Sequence, residues 1–398
     1  MIDFLKYRIL SPVTSTEKYE KAIAVMESNC KKMNEILNSE AYNNFMQLKK
    51  YVESGQCKNE IDIVKNQKFK NSEEYRLEKK LKLLQKDKKV KNFLATGNDS
   101  DSFEVKEYLK LKQISETPEF KEKKSYLCDT AKHKKCKAYK TLENYMYFKK
   151  SSDIGLLPKL QKSCKQYIAE MSKWEGEFGD DFTSANLAEQ WITKPASTAL
   201  LHFNKSYSQS GDLQFASDGK NINLANSHLQ IITLKEQADG FSWSNTHGFV
   251  PKRFSYTSGI VSTATKFAHA YGKIEAKILP PKAKGTYHAF WLGSEQMLPF
   301  INVFCISNGK IQVGAFNNSK KAVKKLSIPL KQKYYIVGIE WDSTEITWKI
   351  NGKKVFSTTI FISEQMYPAF SSGVKQELSN TDLPVVFSVD WIKWYRRK

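Results

Sequence analysis

The chain has 398 residues, 40% of them hydrophobic and 13% aromatic, which favours two domains over one. No stretch reaches the roughly 18 apolar residues of a membrane span, so we expect none. The net charge of +21 favours anionic partners such as nucleic acid, acidic glycans or an acidic protein surface. Because lysines and glutamates are interleaved along helical segments, we interpret most of this charge as a solvated surface and do not expect a nucleic acid partner.

The first residues, MIDFLKYRIL, do not have the pattern of a secretory signal. Asp3, Lys6 and Arg8 interrupt the only short apolar run. A secretory signal has a longer uncharged centre and a cleavage site of small residues. The sequence therefore predicts a cytoplasmic protein.

Six cysteines without regular spacing predict reduced thiols rather than a disulfide framework. One cluster, Cys128, His133 and Cys136 in CDTAKHKKC, contains residue types that bind zinc. Its wide spacing and missing fourth ligand fit no common zinc site. We expect no metal or other cofactor there.

Residues 1–173 predict an α-helical repeat domain. Four times, an aromatic residue is followed by an apolar residue six positions later and by Ser or Asp twelve positions later. Ser39, Ser72 and Ser100 each stand three residues before such an aromatic, where a hydroxyl can cap a starting helix. A second short helix follows in each copy, so we expect helix pairs that stack on their neighbours. The four sets are Tyr42, Leu48 and Ser54; Tyr75, Leu81 and Asp87; Phe103, Leu109 and Ser115; and Tyr139, Tyr145 and Ser151.

The composition changes near residue 174, which predicts a domain boundary. All eight tryptophans lie at or after Trp174, whereas five of the six cysteines lie before it. We therefore expect one domain at residues 1–173 and a second at residues 174–398.

The second region predicts an antiparallel β-sandwich. Short alternating runs are separated by Asp218-Gly219, Asn308-Gly309 and Asn351-Gly352. Asn-Gly accepts the positive φ angles of a two-residue turn, so FINVFCIS-NG-KIQVGAF and ITWKI-NG-KKVFS are interpreted as hairpins. About a dozen such strands indicate a sandwich or jelly roll.

Residues 256–293, YTSGIVSTATKFAHAYGKIEAKILPPKAKGTYHAFWLG, resemble glycoside hydrolase family 16, the laminarinase and β-glucanase group. The likeness continues at residues 334–357 and 387–397, and residues 174–191 are similar to the family's first segment. The resemblance implies two curved antiparallel sheets packed as in concanavalin A-like lectins, with a sugar cleft on the concave face. It also implies a structural calcium on the convex side, for which we assign no ligands.

The resemblance further implies a Glu-x-Asp-x-Glu motif, sometimes with one extra residue before the last Glu, on the strand after the FWL segment. Retaining hydrolysis needs two carboxyl groups about 5 to 5.5 Å apart, one as nucleophile and one as acid. In this chain the nucleophile position is Phe300, the Asp position is Asn302, and the acid position is Phe304 or Cys305. A phenyl ring has no lone pair and an amide does not ionise, so we expect a catalytically inactive protein.

Residues outside this motif supply at most one of the two carboxyl groups that hydrolysis needs. Glu295 is the nearest acid, in a loop upstream, whereas Glu275 and Glu340 match framework positions of the family. Cys305 with His288 suggests Cys-His chemistry, but apolar surroundings raise the pKa of a thiol, so we expect packing instead. A residual β-glucan or galactan hydrolase with relocated acids is therefore a third hypothesis.

A cleft without acids can still hold a sugar, because apolar sugar faces stack on aromatic rings. Alternatively, Phe300 and Phe304 fill the former cleft. Ile260 replaces the Arg that commonly follows the YTSG segment in the family, which speaks against an intact subsite. The carbohydrate-binding candidates are Trp291, Tyr287, His288, Trp243, Tyr256 and Glu295.

Two functions thus precede the hydrolase hypothesis. The first is a structural or interaction protein whose protein partner binds residues 1–173. The second is a lectin-like protein that binds a β-linked glucan or galactan. The absence of a secretory signal suggests incorporation into a particle assembled in the cytoplasm, such as a phage virion.

Overall fold

The structure is a computed structural model, which describes residues 15–98, 101–195, 205–244, 246–296, 298–328, 333–379 and 382–398. The N-terminal charges Asp3, Lys6 and Arg8 and the predicted cap Ser100 lie outside these ranges. Within them, no helix has the length and apolar composition needed to cross a membrane.

The helical prediction for the first region is confirmed, with nine α-helices in its described residues. Ser39 and Ser72 accept from the N–H groups three residues later, at 3.1 and 3.2 Å, as predicted for caps. In the third unit, Ser102 caps the helix by accepting from the Val105 N–H at 3.3 Å. The helices are α1 (Thr16–Leu37), α2 (Glu40–Glu53), α3 (Gln56–Asn66), α4 (Glu73–Leu84), α5 (Lys88–Thr96), α6 (Phe103–Glu116), α7 (Pro118–Cys128), α8 (Lys137–Lys150) and α9 (Ser152–Met171), with 3-10 turns at Phe69–Asn71 and Lys132–Lys135.

The helix pairs do not stack in sequence order. Phe45 of α2 stacks on Tyr145 of α8 with ring centroids 5.4 Å apart, so the first and fourth units pack together. The second and third units share a separate cluster around Val90, Val105 and Tyr108. The predicted linear order is therefore wrong for the first and fourth units, because their apolar faces cover each other.

The second region consists of short strands. They are β1 (Trp174–Asp180), β2 (Ser208–Gln209), β3 (Gln214–Ala216), β4 (Ile222–Ala225), β5 (His228–Thr233), β6 (Ala238–Ser244), β7 (Gly248–Phe254), β8 (Tyr256–Ser258), β9 (Ile260–Ser262), β10 (Gly272–Leu279), β11 (Thr286–Gly293), β12 (Phe300–Ser307), β13 (Lys310–Phe316), β14 (Lys321–Leu326), β15 (Tyr335–Trp341), β16 (Ile346–Ile350), β17 (Lys353–Thr358), β18 (Tyr367–Val374) and β19 (Val385–Arg397).

Two antiparallel sheets form the predicted sandwich, which confirms the fold class. One sheet has eight strands in the order β17-β16-β15-β10-β19-β5-β4, with β1 beside β19. The other has six strands in the order β14-β13-β12-β11-β18-β9. Alternate residues of both sheets meet in one core, where Phe290, Phe304, Trp348 and Phe387 are fully buried. Two small sheets, β2-β6-β7 and β3-β8, complete the region.

Both predicted Asn-Gly hairpins are present. Asn308 and Gly309 have φ angles of 48° and 73°, and Asn351 and Gly352 have 49° and 73°. Two consecutive positive φ angles define the tight turn that Asn-Gly favours. The first turn joins β12 to β13 and thereby fixes the register of β12. This is the strand on which the resemblance implies the catalytic acids.

The chain forms two compact units. One is Ser28–Lys165, and the other combines Met1–Glu27 with Gln166–Lys398. The described N-terminal end of α1 and the C-terminal end of α9 therefore belong to the unit that contains the strands. The boundary at residue 174 stays a prediction, with α9 ending at Met171 and β1 beginning at Trp174.

Candidate functional site

The predicted site positions lie on the face of the six-stranded sheet that points away from the core, here called the outer face. Residues paired across antiparallel strands share a face, so the register of β18, β11, β12, β13 and β14 defines four rows of side chains. The rows are Tyr367, Gly293, Phe300, Phe316 and Lys321; Ala369, Trp291, Asn302, Gly314 and Val323; Ser371, Ala289, Cys305, Gln312 and Lys325; and Gly373, Tyr287, Ser307 and Lys310.

A β-bulge in β12 decides which side chains reach the outer face. Phe290 pairs with Phe304, and Trp291 pairs with Asn302, so Val303 is an extra residue. Val303 and Phe304 both lie in the core. The bulge brings the next residue, Cys305, back to the outer face. Of the two residues to which the resemblance assigns the acid position, only Cys305 lies on the outer face, and Phe304 lies in the core.

The outer-face residues of β12 are Phe300, Asn302, Cys305 and Ser307, and none of them carries a group that is ionised at neutral pH. The Phe300 ring lies 5.4 Å from the Trp291 ring, centroid to centroid. Nδ2 of Asn302 donates to the Gln312 carbonyl at 3.1 Å. Burial raises the pKa of Cys305 to about 11, which keeps the thiol protonated.

The six strands of this sheet contain no Asp or Glu. Retaining glycoside hydrolysis needs two carboxyl groups across the scissile bond. The strands of this sheet supply neither. The eight-stranded sheet is different, because its strands carry Glu175, Glu177, Asp180, Glu275, Glu340 and Asp390.

Asn302 combines burial with an unused hydrogen-bond acceptor. Its side chain is 7% exposed, and in the described part of the chain its Oδ1 has no hydrogen-bond partner. Buried polar atoms are normally paired. Its cross-strand neighbour Trp291 is half-buried and donates from Nε1 to Ser371 Oγ at 3.0 Å, which fixes the indole. The outer face thus presents a fixed ring, while the unpaired oxygen of Asn302 lies buried beside it.

Tyr287 and His288 point to opposite faces, because side chains alternate along β11. His288 is 1% exposed, and its Nδ1 and Nε2 lie 2.5 and 2.8 Å from the hydroxyls of Ser372 and Thr286. Burial lowers its pKa to about 3. The prediction that His288 contacts a sugar is therefore corrected, since its ring faces the core. The same orientation agrees with the expectation that Cys305 packs rather than reacts with His288.

Trp243 lies in the small sheet but belongs to a series of rings that begins at Trp291. Trp291 and Tyr367 have centroids 6.0 Å apart, Tyr207 and Phe249 are 5.2 Å apart, and Phe249 and Trp243 are 4.7 Å apart. Burial raises the pKa of Tyr367, and Tyr207 lies close enough to add to this effect. We call these five residues the aromatic wall.

Tyr256 and Glu295 have different surroundings. Tyr256 is 3% exposed, packs on Val374 and Leu378, and accepts from the Leu378 N–H at 3.0 Å. Its ring is therefore structural, which corrects its place among the sugar contacts. Glu295 is exposed in the loop between β11 and β12.

No sequence pattern pointed to Asp212, a carboxylate that the fold brings close to the outer face. It lies near Tyr287, whose hydroxyl accepts from Gln214 Nε2 at 3.3 Å. Burial raises the pKa of Asp212, while backbone hydrogen bonding to Gln209 and the charge of Lys375 oppose this shift. Its position depends on the packing of β3 beside the sandwich, which local sequence does not reveal.

No three His, Cys, Asp or Glu side chains of the described residues are close enough together to hold a metal ion. Cys136 instead accepts from the Tyr139 N–H at 3.4 Å and caps α8. The His133 ring packs edge-on against Tyr139, 5.8 Å away. The described side chains also provide no such group for the calcium that the resemblance implies.

Residues 209–381 match the family model of glycosyl hydrolases family 16. This match confirms the resemblance for that region, which contains the outer face and most of the aromatic wall. The β-sandwich is thus similar over residues 209–381 to family 16 glycosyl hydrolases.

Among individual proteins, the clotting factor G alpha subunit of Tachypleus tridentatus is 23% identical over 206 residues, which cover 47% of this chain and 27% of that protein. The laminarinase catalytic domain from Thermotoga maritima is 19% identical, with a TM-score of 0.46, over 56% of this chain and 98% of that one. The endo-β-1,3-glucanase from Pyrococcus furiosus is also 19% identical, with a TM-score of 0.46, over 56% and 95%.

Proposed function

We propose that this protein binds a glycan on the outer face of the six-stranded sheet and does not cleave it. The observation that carries the proposal is the half-buried ring of Trp291, which Ser371 fixes and which lies 5.4 Å from the Phe300 ring on the same face. A sugar offers an apolar face to such a ring. The match of residues 209–381 to a glycosidase family supports carbohydrate as the class of ligand.

The proposed lack of cleavage follows from the side chains on the same face. Phe300, Asn302 and Cys305 occupy the positions of the family's acids, and none of them can act as a carboxylate pair. Asp212 is a single carboxyl group near the far end of the face, close to Tyr287. One carboxyl group cannot serve as both nucleophile and acid.

Binding is tested by titration calorimetry with laminarin, a neutral β-glucan. We expect Trp291→Ala and Phe300→Ala each to weaken binding by about tenfold, because each removes one ring on which a sugar face stacks. Trp391→Ala is the matched control, since Trp391 is a half-buried tryptophan of β19 in the other sheet. Failure of the folded, unmodified protein to bind any glycan of a neutral and acidic panel would contradict the proposal.

Cleavage is tested separately by the release of reducing sugar from laminarin and agarose. We expect no release above that of a buffer blank. Release that is abolished by Asp212→Asn would assign hydrolysis to a relocated acid and overturn the inactive part of the proposal. Glycan binding would remain unaffected by that outcome.

Protein binding through the helical region is a second candidate function. The side chains of Phe103 and Tyr147 are 75% and 73% exposed. Each is a large ring on a helix surface, and burying such a ring against a partner is favourable. A cytoplasmic location and a place in an assembled particle such as a virion belong to this candidate.

A further inference from the structure

We infer that the glycan held on the outer face is anionic, carrying sulfate or carboxylate groups. The inference rests on the proposed glycan binding and adds the charge of the ligand. It follows from where the lysines of the six-stranded sheet lie and from what surrounds them.

Three lysines lie on the outer face at the β13–β14 edge. The register places Lys321 beside Phe316, Lys325 beside Gln312, and Lys310 beside Ser307. All three lysines are exposed. Because neighbouring strands lie about 4.8 Å apart, a ligand on the Phe300 ring has Lys321 roughly 10 Å away, two strands along.

A fourth lysine flanks the opposite end of the face. Lys375 follows β18 directly, and its Nζ lies 4.6 Å from the centroid of the Tyr287 ring. Positive charge therefore borders the aromatic residues on two sides. An extended chain of sugars lying across the strands passes from one positive border to the other.

The three lysines at the β13–β14 edge have no acidic partner in the described parts of the chain, whereas Lys375 lies close enough to Asp212 for its charge to lower the pKa of that carboxyl group. Lys310, Lys321 and Lys325 form no ion pair there. On the eight-stranded sheet, by contrast, Lys273 pairs with Glu275 at 2.8 Å and Lys277 with Asp390 at 2.9 Å. The general lysine richness of the chain does not explain this difference, because both sheets are rich in lysine.

Unpaired ammonium groups beside aromatic rings select an anionic saccharide over a neutral one. Sulfate and carboxylate groups form charge-assisted hydrogen bonds with lysine, while the sugar faces stack on Trp291 and Phe300. A neutral sugar gains only the stacking. A ligand without sugar faces, such as polyphosphate, gains only the charge.

The test compares laminarin with sulfated laminarin, which share one backbone and differ in charge. We expect the whole protein to bind the sulfated form about tenfold more tightly at low salt, with the difference shrinking as salt is added. The double variant Lys321→Ala/Lys325→Ala should weaken binding of the sulfated form by about tenfold and leave laminarin binding unchanged. Carboxymethylated laminarin should behave as the sulfated form does.

The matched control is Lys88→Ala/Lys91→Ala, which removes the same charge from exposed lysines of α5. It should leave the preference unchanged. Equal affinity for laminarin and sulfated laminarin would overturn the inference but not the proposed glycan binding. Absence of binding to either would overturn both. Polyphosphate or duplex DNA binding as tightly, and insensitive to Trp291→Ala, would overturn the saccharide as the ligand.

Discussion

Cys305 is one of the two residues to which the resemblance assigns the acid position, and its surroundings suppress its reactivity. Burial raises its pKa to about 11, and the positive charge of Lys375 opposes this shift only in part. His288 faces the core, so it cannot accept the thiol proton. The thiol is therefore neutral and serves as an apolar side chain.

We predict that Cys305 is alkylated far more slowly than the exposed Cys128 by iodoacetamide at pH 8. At this pH about one Cys305 thiol in a thousand is ionised when the pKa is about 11, and burial also restricts access of the reagent, whereas Cys128 is exposed. Peptide mass spectrometry over a time course gives both rates. Equal rates, or a Cys305 rate that levels off below pH 9, would contradict the raised pKa.

Residue types could be read from the sequence, but their orientation could not. The absence of carboxylates from PFINVFC was evident, whereas the choice between Phe304 and Cys305 depended on one extra residue in β12. Local alternation assigns His288 and Tyr287 to opposite faces without saying which face is buried. That choice depends on the second sheet, whose contacts are long-range.

Two Asn-Gly turns with the same backbone have different neighbours. A Cβ on Gly309 would have nothing within 4 Å, whereas a Cβ on Gly352 would lie 2.5 Å from Cε2 of Tyr19 in α1. Thr16, also in α1, donates from Oγ1 to the Tyr334 carbonyl at 2.5 Å. The beginning of α1 is thus packed against this turn and strand β15.

We predict that Gly352→Ala destabilises the protein more than Gly309→Ala. Both changes place Ala at a φ of 73°, which costs about 1 kcal/mol. Gly352→Ala adds the clash with the Tyr19 ring, for a total of roughly 2–4 kcal/mol. Urea unfolding measures both values.

Tyr19→Ala is the second variant of a double-mutant cycle with Gly352→Ala. Removing the ring should abolish the extra cost of the alanine, although Tyr19→Ala has a cost of its own. Equal losses for the two glycine variants would show that the clash is absent.

Elements with strong local signals were predictable, and elements that depend on partners were not. The caps at Ser39 and Ser72 and both Asn-Gly hairpins follow from short-range chemistry. The contact between the first and fourth helical units does not, because its residues are about 100 positions apart in the chain. The aromatic wall also joins rings from distant strands.

The division into two units does not follow the change in composition at residue 174. Glu20 of α1 pairs with Lys277 of β10 at 2.8 Å, and the Tyr167 hydroxyl donates to Glu27 at 3.0 Å. Residues before position 174 therefore help to cover the eight-stranded sheet. Composition does not reveal this, since a helix can cross from one unit into another without a change in its sequence character.

We predict different outcomes for two deletions. Removing residues 1–173 also removes the cover of the eight-stranded sheet, so the remaining sandwich should have a Tm lower by several degrees than the full chain. Removing only residues 28–165, with a short Gly-Ser linker, keeps that cover, and the contact between Glu27 and Tyr167 shows that the ends are close. Calorimetry gives both Tm values.

The same two variants test the second candidate function. If a partner binds the helical region, both should lose it in pull-downs, while the 28–165 deletion keeps a native Tm. A partner retained without residues 28–165 would overturn that candidate. Equal Tm values for the two variants would support the boundary at residue 174.

The bulge at Val303 has a consequence for engineering. It offsets the main chain so that the residue after Phe304 projects from the same surface as Phe300 and Asn302. An attempt to install hydrolytic activity can therefore begin with replacements at Phe300, Asn302 and Cys305 and leave the path of the backbone unchanged.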